Sequence, residues 1–185
     1  MDQLQISFFA LVIILFSSSH DGWAQNQQDN TAFKEGMEKI EWFVGHWEGE
    51  GWIMTPERTR ETFKQTETIQ WKLDKTVLMV EGRGLAADEE SGQQRVIHDA
   101  LALISYNPQT KNYSFKSHLF TGQKGDYFGR VTEDGAFVWI LDSMPGRLIK
   151  YTIRINEKEQ WHEIGEIQIG ETWYPFFEMT LDRKE

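Results

Sequence analysis

The chain has 185 residues, with 29 acidic and 19 basic side chains and a net charge of −10. It contains no cysteine, which excludes a disulfide framework, a thiolate metal site and a cysteine nucleophile. The acidic balance runs against a nucleic-acid binder, which carries a basic footprint. The length suits a single domain able to bury its own core.

The first 24 residues read as a secretory signal peptide. Ile6 to Phe16 (ISFFALVIILF) is an apolar run broken only by Ser7. It has the length of a signal-peptide core and is shorter than the roughly 20 residues of a membrane-spanning helix. Ser17, Ser18 and Ser19 follow, then Gly22-Trp23-Ala24, a small-x-small cleavage pattern. One departure is the start, where Asp2 stands and no Lys or Arg does; an uncleaved membrane anchor is the alternative. No cysteine follows the run, so an N-terminal lipid is excluded. A secreted or periplasmic protein beginning at Gln25 is expected. Intact-mass measurement checks this: Met1 retained on membrane-associated protein would favour the anchor.

Residues 25–30 (QNQQDN) are polar and read as a frayed mature N-terminus. The domain proper runs over 31–185. Thr31 to Trp42 places Phe33, Met37, Ile40 and Glu41 near helical spacing, with Thr31 as N-cap, and predicts one short helix. From residue 43 onward the pattern is strand and turn. Runs of Val, Ile, Thr and aromatics recur between breakers at Thr55-Pro56-Glu57, Asp74-Lys75, 87–94, Asn107-Pro108, 122–125, Asp134-Gly135, Met144-Pro145-Gly146, 156–159 and Gly170-Glu171. About ten strands joined by short turns predict an all-β, antiparallel up-and-down barrel, closed so that no edge is exposed.

The second and third strands allow a test of parity. A two-residue turn at Asp74-Lys75 pairs Trp71 with Leu78, Ile69 with Val80, and Glu67 with Gly82. Cross-strand partners share a face. One face then holds Phe63, Ile69, Trp71, Leu78 and Val80, and the other Thr66, Thr68, Gln70, Met79, Glu81 and Arg83. The first is the interior. Glu67 is its exception, a carboxylate opposite a glycine that leaves it room. In the last hairpin, Gly170-Glu171 pairs Pro175 with Glu166 and Met179 with His162. A bulge at Pro175 would flip that register, so the faces of His162 and Glu178 stay open.

The opening Phe43-Val44-Gly45-His46-Trp47-Glu48-Gly49-Glu50-Gly51 follows a short helix, and the chain ends in Phe177-Glu178-Met179-Thr180-Leu181-Asp182-Arg183. A G-x-W at the first strand and an Arg at the end of the last resemble the lipocalin or calycin signature. The resemblance implies a barrel whose base is closed by Trp47 with Arg183 packed over it. A cation on an indole face gives that pair a physical reason. More narrowly, G-x-W-E-G, the stretch Ala100 to Tyr113 and the E-M-T-L-D-R ending resemble a bacterial family known as DUF1579. The G-x-W-x-G-x-G opening is also similar to that of nitrobindin-like haem barrels.

In those haem barrels a His on the last strand holds iron. Here that position falls on or beside Pro175-Phe176, and the last strand has no His. His98, His118 and His162 are the remaining candidates, and no cofactor is expected. His46, His98, His118 and His162 are far apart in sequence, with no H-E-x-x-H, and no metal site is expected. There is no G-x-S-x-G elbow, and His98 and Asp99, being adjacent, point to opposite faces.

What remains is Glu67, whose burial would raise its pKa as a general acid or base requires, and the aromatics. Trp42, Trp47, Trp52, Trp71, Trp139, Trp161 and Trp173, with Phe63, Phe115, Phe128, Phe137 and Tyr106, either line a pocket or fill the core. Gly49 and Gly51 share the face of Trp47 and are expected to leave interior volume. The expected function is binding of a small, apolar or amphipathic ligand by Glu67, Trp71, Trp52, Tyr106, Phe115, Trp139, Trp173 and Phe177. No nucleic acid and, after cleavage, no membrane is expected as partner. The alternatives are a small calycin-type enzyme using Glu67, or a haem barrel.

Overall fold

The computed structural model describes residues 29–88, 91–144 and 147–185. The signal-peptide segment, most of the polar tail and the Pro145-Gly146 turn lie outside the described residues. The chain opens with helix α1 (Thr31–Glu38) and a 3-10 turn, η1 (Glu41–Phe43). Ten strands follow: β1 (Gly45–Met54), β2 (Arg60–Lys72), β3 (Val77–Ala87), β4 (Gln94–Asn107), β5 (Asn112–Leu119), β6 (Lys124–Val131), β7 (Phe137–Met144), β8 (Arg147–Ile155), β9 (Trp161–Ile169) and β10 (Thr172–Lys184).

Each strand pairs antiparallel with its sequence neighbour, and β1 pairs with β10, which closes the barrel. Closure removes the free edges that an open ten-strand meander would present. The predicted all-β, calycin-like barrel is the fold observed.

The β2–β3 register is the one read from the sequence: Trp71 faces Leu78, Ile69 faces Val80 and Glu67 faces Gly82. The connection is longer than two residues. Leu73, Asp74 and Lys75 all take positive φ between the paired Lys72 and Val77. The interior parity holds: Phe63, Ile69 and Leu78 are buried while Thr66, Gln70 and Arg83 are exposed.

The helix region is divided rather than continuous. α1 stops at Glu38, and a separate 3-10 turn brings Trp42 and Phe43 under the barrel. Thr31 is the first helical residue rather than the N-cap; Asn30 holds that place, and the Asp29 carboxylate accepts the Thr31 N–H at 3.0 Å. Met37, Ile40 and Phe43 are fully buried and form a plug. The Tyr113 hydroxyl donates to the Gly36 carbonyl at 2.6 Å, and Lys34 pairs with Asp74 at 2.6 Å, so the helix is tied to the barrel end.

Trp47 stands at the centre of this closed end with no exposed surface. Its indole N–H donates to the Phe43 carbonyl at 2.8 Å. The Arg183 guanidinium lies 4.1 Å from the Trp47 ring centroid. It also donates to the carbonyls of Trp42, at 2.9 Å, and Val44. One side chain thus caps the indole and serves two carbonyls of the turn that enters β1.

Gly49 and Gly51 do not leave open volume. A Cβ on Gly49 would lie 2.1 Å from the Thr180 carbonyl oxygen, and one on Gly51 would lie 2.5 Å from Phe63. The glycines let β10 and the Phe63 ring come close, so their space is used by packing.

Candidate functional site

The end opposite the helix is open, and a cavity of about 710 Å³ runs from it into the barrel. That volume lies within the roughly 300–1,000 Å³ of small-molecule sites. The barrel is therefore plugged at one end and hollow through its middle, with both outcomes expected of the aromatics realised at different depths.

One wall is an aromatic stack. Trp139 lies flat on Tyr151, centroids 4.3 Å apart at 10°. Phe115 meets Trp139 edge-on at 4.9 Å, and Tyr127 lies 5.0 Å from it. Phe177 joins through Tyr151 at 5.8 Å and stacks on Phe63 at 5.7 Å. Such pairs prefer offset or edge contact and hold one another rigidly. Among the described side chains, the Trp139 indole nitrogen is the one buried polar atom without a hydrogen-bond partner. A donor left so costs about 1–3 kcal/mol.

The same cavity carries two carboxyls, Glu67 on β2 and Glu163 on β9. Glu67 is 6% exposed and Glu163 7%. The Gln65 amide donates to Glu67 Oε1 at 2.7 Å, and the Trp161 indole donates to Glu163 Oε2 at 3.1 Å. Burial pushes the Glu67 carboxyl up to about 7, the Gln65 bond opposing it. Burial, followed by the charge of Glu67, pushes Glu163 up to about 8. Gly82 is what lets the first carboxyl sit there: a Cβ on it would come 2.5 Å from Glu67 Oε1. His98 also lines the cavity, and burial lowers its pKa, so the imidazole is neutral near pH 7. At the mouth Arg95 pairs with Glu61.

Of the residues expected to contact a ligand, Glu67, Phe115, Trp139 and Phe177 line the cavity. The other four do not. Trp52 points outward, because residues alternate along β1 and Trp47 points in. There its N–H donates to Glu178 at 3.1 Å, and Arg60 covers its ring at 3.7 Å. Trp173 is on the outer face too, under Lys150 at 4.5 Å. Trp71 and Tyr106 are at the plugged end; Tyr106 packs against Gly36 of α1 and on Tyr113 at 5.1 Å. Phe128 is likewise no pocket residue, being 66% exposed.

Glu163 is not among the residues expected from the sequence. The register of β9 with β10 shifts between Pro175 and Phe177, so Phe176 is the extra residue of a bulge. Pro175 still faces Glu166, but Met179 faces Glu163 rather than His162. The flip turns Glu163 inward and His162 outward. His162 Nε2 lies 3.0 Å from Glu178 Oε1 on the outer face. His46 also faces out, against Thr68 and Glu48. His118 borders an outer groove with Thr66, Arg83 and Asp99. No group of three potential metal ligands forms among the described residues.

No protein-family model matches the chain, and no curated protein matches it in sequence. Solved structures do match in fold. Rv2717c from M. tuberculosis superposes with a TM-score of 0.59 at 13% identity, covering 81% of this chain and 98% of its own. The S-type phycobiliprotein lyase CpeS from Guillardia theta gives 0.56 at 13% identity, covering 82% and 92%. Both are ten-strand antiparallel barrels of the calycin type. At that identity the likeness speaks for the fold and leaves function to the site.

Proposed function

We propose that this protein is an exported binding protein that holds a small, largely apolar ligand inside the barrel. The observation that carries this reading is the cavity itself: about 710 Å³, open at one end, walled by stacked aromatics and furnished with few polar groups. Rigid aromatic walls with a few fixed donors and acceptors are the usual composition of a ligand site. The apolar Ile6–Phe16 run and Gly22-Trp23-Ala24 support export to the periplasm or medium. The G-x-W-E-G opening and the E-M-T-L-D-R ending support placing the chain with the DUF1579 barrels. The reading includes no resident haem or metal. In it Pro175 and Phe176 occupy the last-strand position that would need a histidine.

Native mass spectrometry of the mature chain tests for a co-purifying ligand. Titration with N-phenylnaphthylamine, a neutral apolar fluorophore, gives a direct measure: one saturable site per chain and quenching of tryptophan emission are expected. Ala102 is buried on the cavity wall. Ala102→Trp fills the cavity and should abolish binding while the circular-dichroism spectrum remains that of a β-barrel. Unchanged binding by that folded variant would place the fluorophore outside the barrel and overturn the reading.

An enzyme is the second reading, favoured by one observation. Glu67 titrates near neutrality inside a cavity, where a general acid or base is most effective. Glu67→Gln then lowers turnover by about 10²–10⁴-fold, whereas a binder keeps its affinity within about tenfold.

A further inference from the structure

Two carboxyls share the cavity, and among the described residues no cation is paired with either. Glu67 and Glu163 are both over nine-tenths buried, and each receives one neutral N–H, from Gln65 and Trp161. Among the described residues the one cationic side chain on the cavity wall is Arg95. It stands at the mouth, half-exposed and already paired with Glu61. The remaining titratable groups on the wall are His98 on β4, Tyr127 on β6 and Tyr151 on β8. Burial keeps the imidazole uncharged and pushes the Tyr151 phenol up, helped by the nearby charge of Glu163. The pair therefore faces aromatic rings and neutral groups.

A ligand that binds there meets two demands. Its charge must suit a pair of desolvated carboxyls. It must also lie beside Trp139, Tyr151 and Tyr127, electron-rich rings on the wall of the same cavity, which favour a nearby cation. A carboxylate ligand would bring a third acidic group into the same low-dielectric space, which like charges disfavour. A neutral alkyl ligand would gain burial alone.

Building on the cavity reading, we propose that the ligand carries a cationic nitrogen seated at Glu67 and Glu163, so that the cavity selects amphipathic amines over carboxylates. Entry of R–NH₃⁺ converts one carboxylic acid of the pair to carboxylate and releases its proton to solvent. The complex gains an ion pair without burying net charge.

Calorimetric titration of the mature chain with decylamine, decanol and decanoate, below their aggregation limits, tests this. Decylamine should bind at least about tenfold more tightly than decanol at neutral pH, and decanoate more weakly than either. Decylamine binding should release up to one proton, read from the dependence of the heat on buffer, and decanol binding none. The amine-to-alcohol ratio should fall toward unity in Glu67→Gln/Glu163→Gln, and partway in each single variant. Decanoate binding as tightly as decylamine, or a ratio that survives the double substitution in a folded protein, would overturn the proposal. Equal binding of all three leaves the cavity reading standing and removes only the amine. Binding of none removes both.

Discussion

Glu67→Gln combined with Glu163→Gln is expected to stabilise the barrel at about pH 8 and to change little at about pH 4.5. Both carboxyls lose protons less readily in the folded state, at about 7 and about 8, than the ordinary carboxyl at 4.5. Below 4.5 both states are protonated, and the pair contributes no pH dependence. As pH rises, the unfolded chain ionises first and binds fewer protons than the native one. Stability then falls with pH, continuing until the folded groups ionise near 7–8, after which it is level. The loss is on the order of 3 kcal/mol for a single carboxyl shifted this far. Gln has the shape of the protonated acid. Its carbonyl can accept the Gln65 or Trp161 N–H, and it has no charge to desolvate. The variant should therefore lose the downward slope that the pair gives the natural chain between about pH 5 and about pH 8. Urea midpoints measured from about pH 5 to about pH 8 decide it. A parallel slope in both proteins would mean that the carboxyls are solvated, and the amine proposal would lose its footing with them.

The barrel is legible in the sequence because antiparallel meanders write themselves locally. Each turn sets the register of one hairpin, and the β2–β3 hairpin can be read residue by residue from Asp74-Lys75, Glu67 on its apolar face included. Register read this way fails where one residue is inserted. Pro175 cannot donate to a ladder, and the bulge follows at Phe176. The sequence shows the proline but not which residue is extra, so Glu163 has no readable face and the second carboxyl stays hidden. The tryptophans mislead for a different reason. Trp52 shares its strand face with Glu48 and Glu50, both exposed, and is opposite in parity to the buried Trp47; its outward place follows from that spacing. On the outer face Trp52 is half-buried, with Arg60 over its ring, as Lys150 lies over Trp173. Composition counts aromatics without their partners. Tyr106 has inward parity but lies at the plugged end, and depth along a barrel depends on where the helix seats, which strand patterns do not record.

Trp47→Ala is expected to destabilise the protein by about 3–5 kcal/mol, the range for truncating a fully buried large aromatic. The indole has no exposed surface and meets Trp161 at 5.8 Å. Its removal would also free the Phe43 carbonyl, which accepts its N–H. Arg183→Ala should cost less, about 1–2 kcal/mol, because water can reach the carbonyls of Trp42 and Val44 that the exposed guanidinium releases, and the main losses are its stacking and the packing of its stem. The two losses should not add. With the indole gone, Arg183 has no ring to lie on, though it keeps the carbonyls of Trp42 and Val44. The double variant should therefore be less damaged than the sum of the singles, by about 0.5–3 kcal/mol for side chains in contact. Arg183→Lys separates the contributions further: a lysine keeps the charge and the stem but has no planar fork to serve two carbonyls, so it should recover only part of the loss. Denaturant midpoints of the singles, the double and the lysine variant measure all of this, provided the unfolding slope is unchanged. Strict additivity would show that the cation and the indole do not stabilise each other, and the closed end would then rest on the plug of Met37, Ile40 and Phe43 alone.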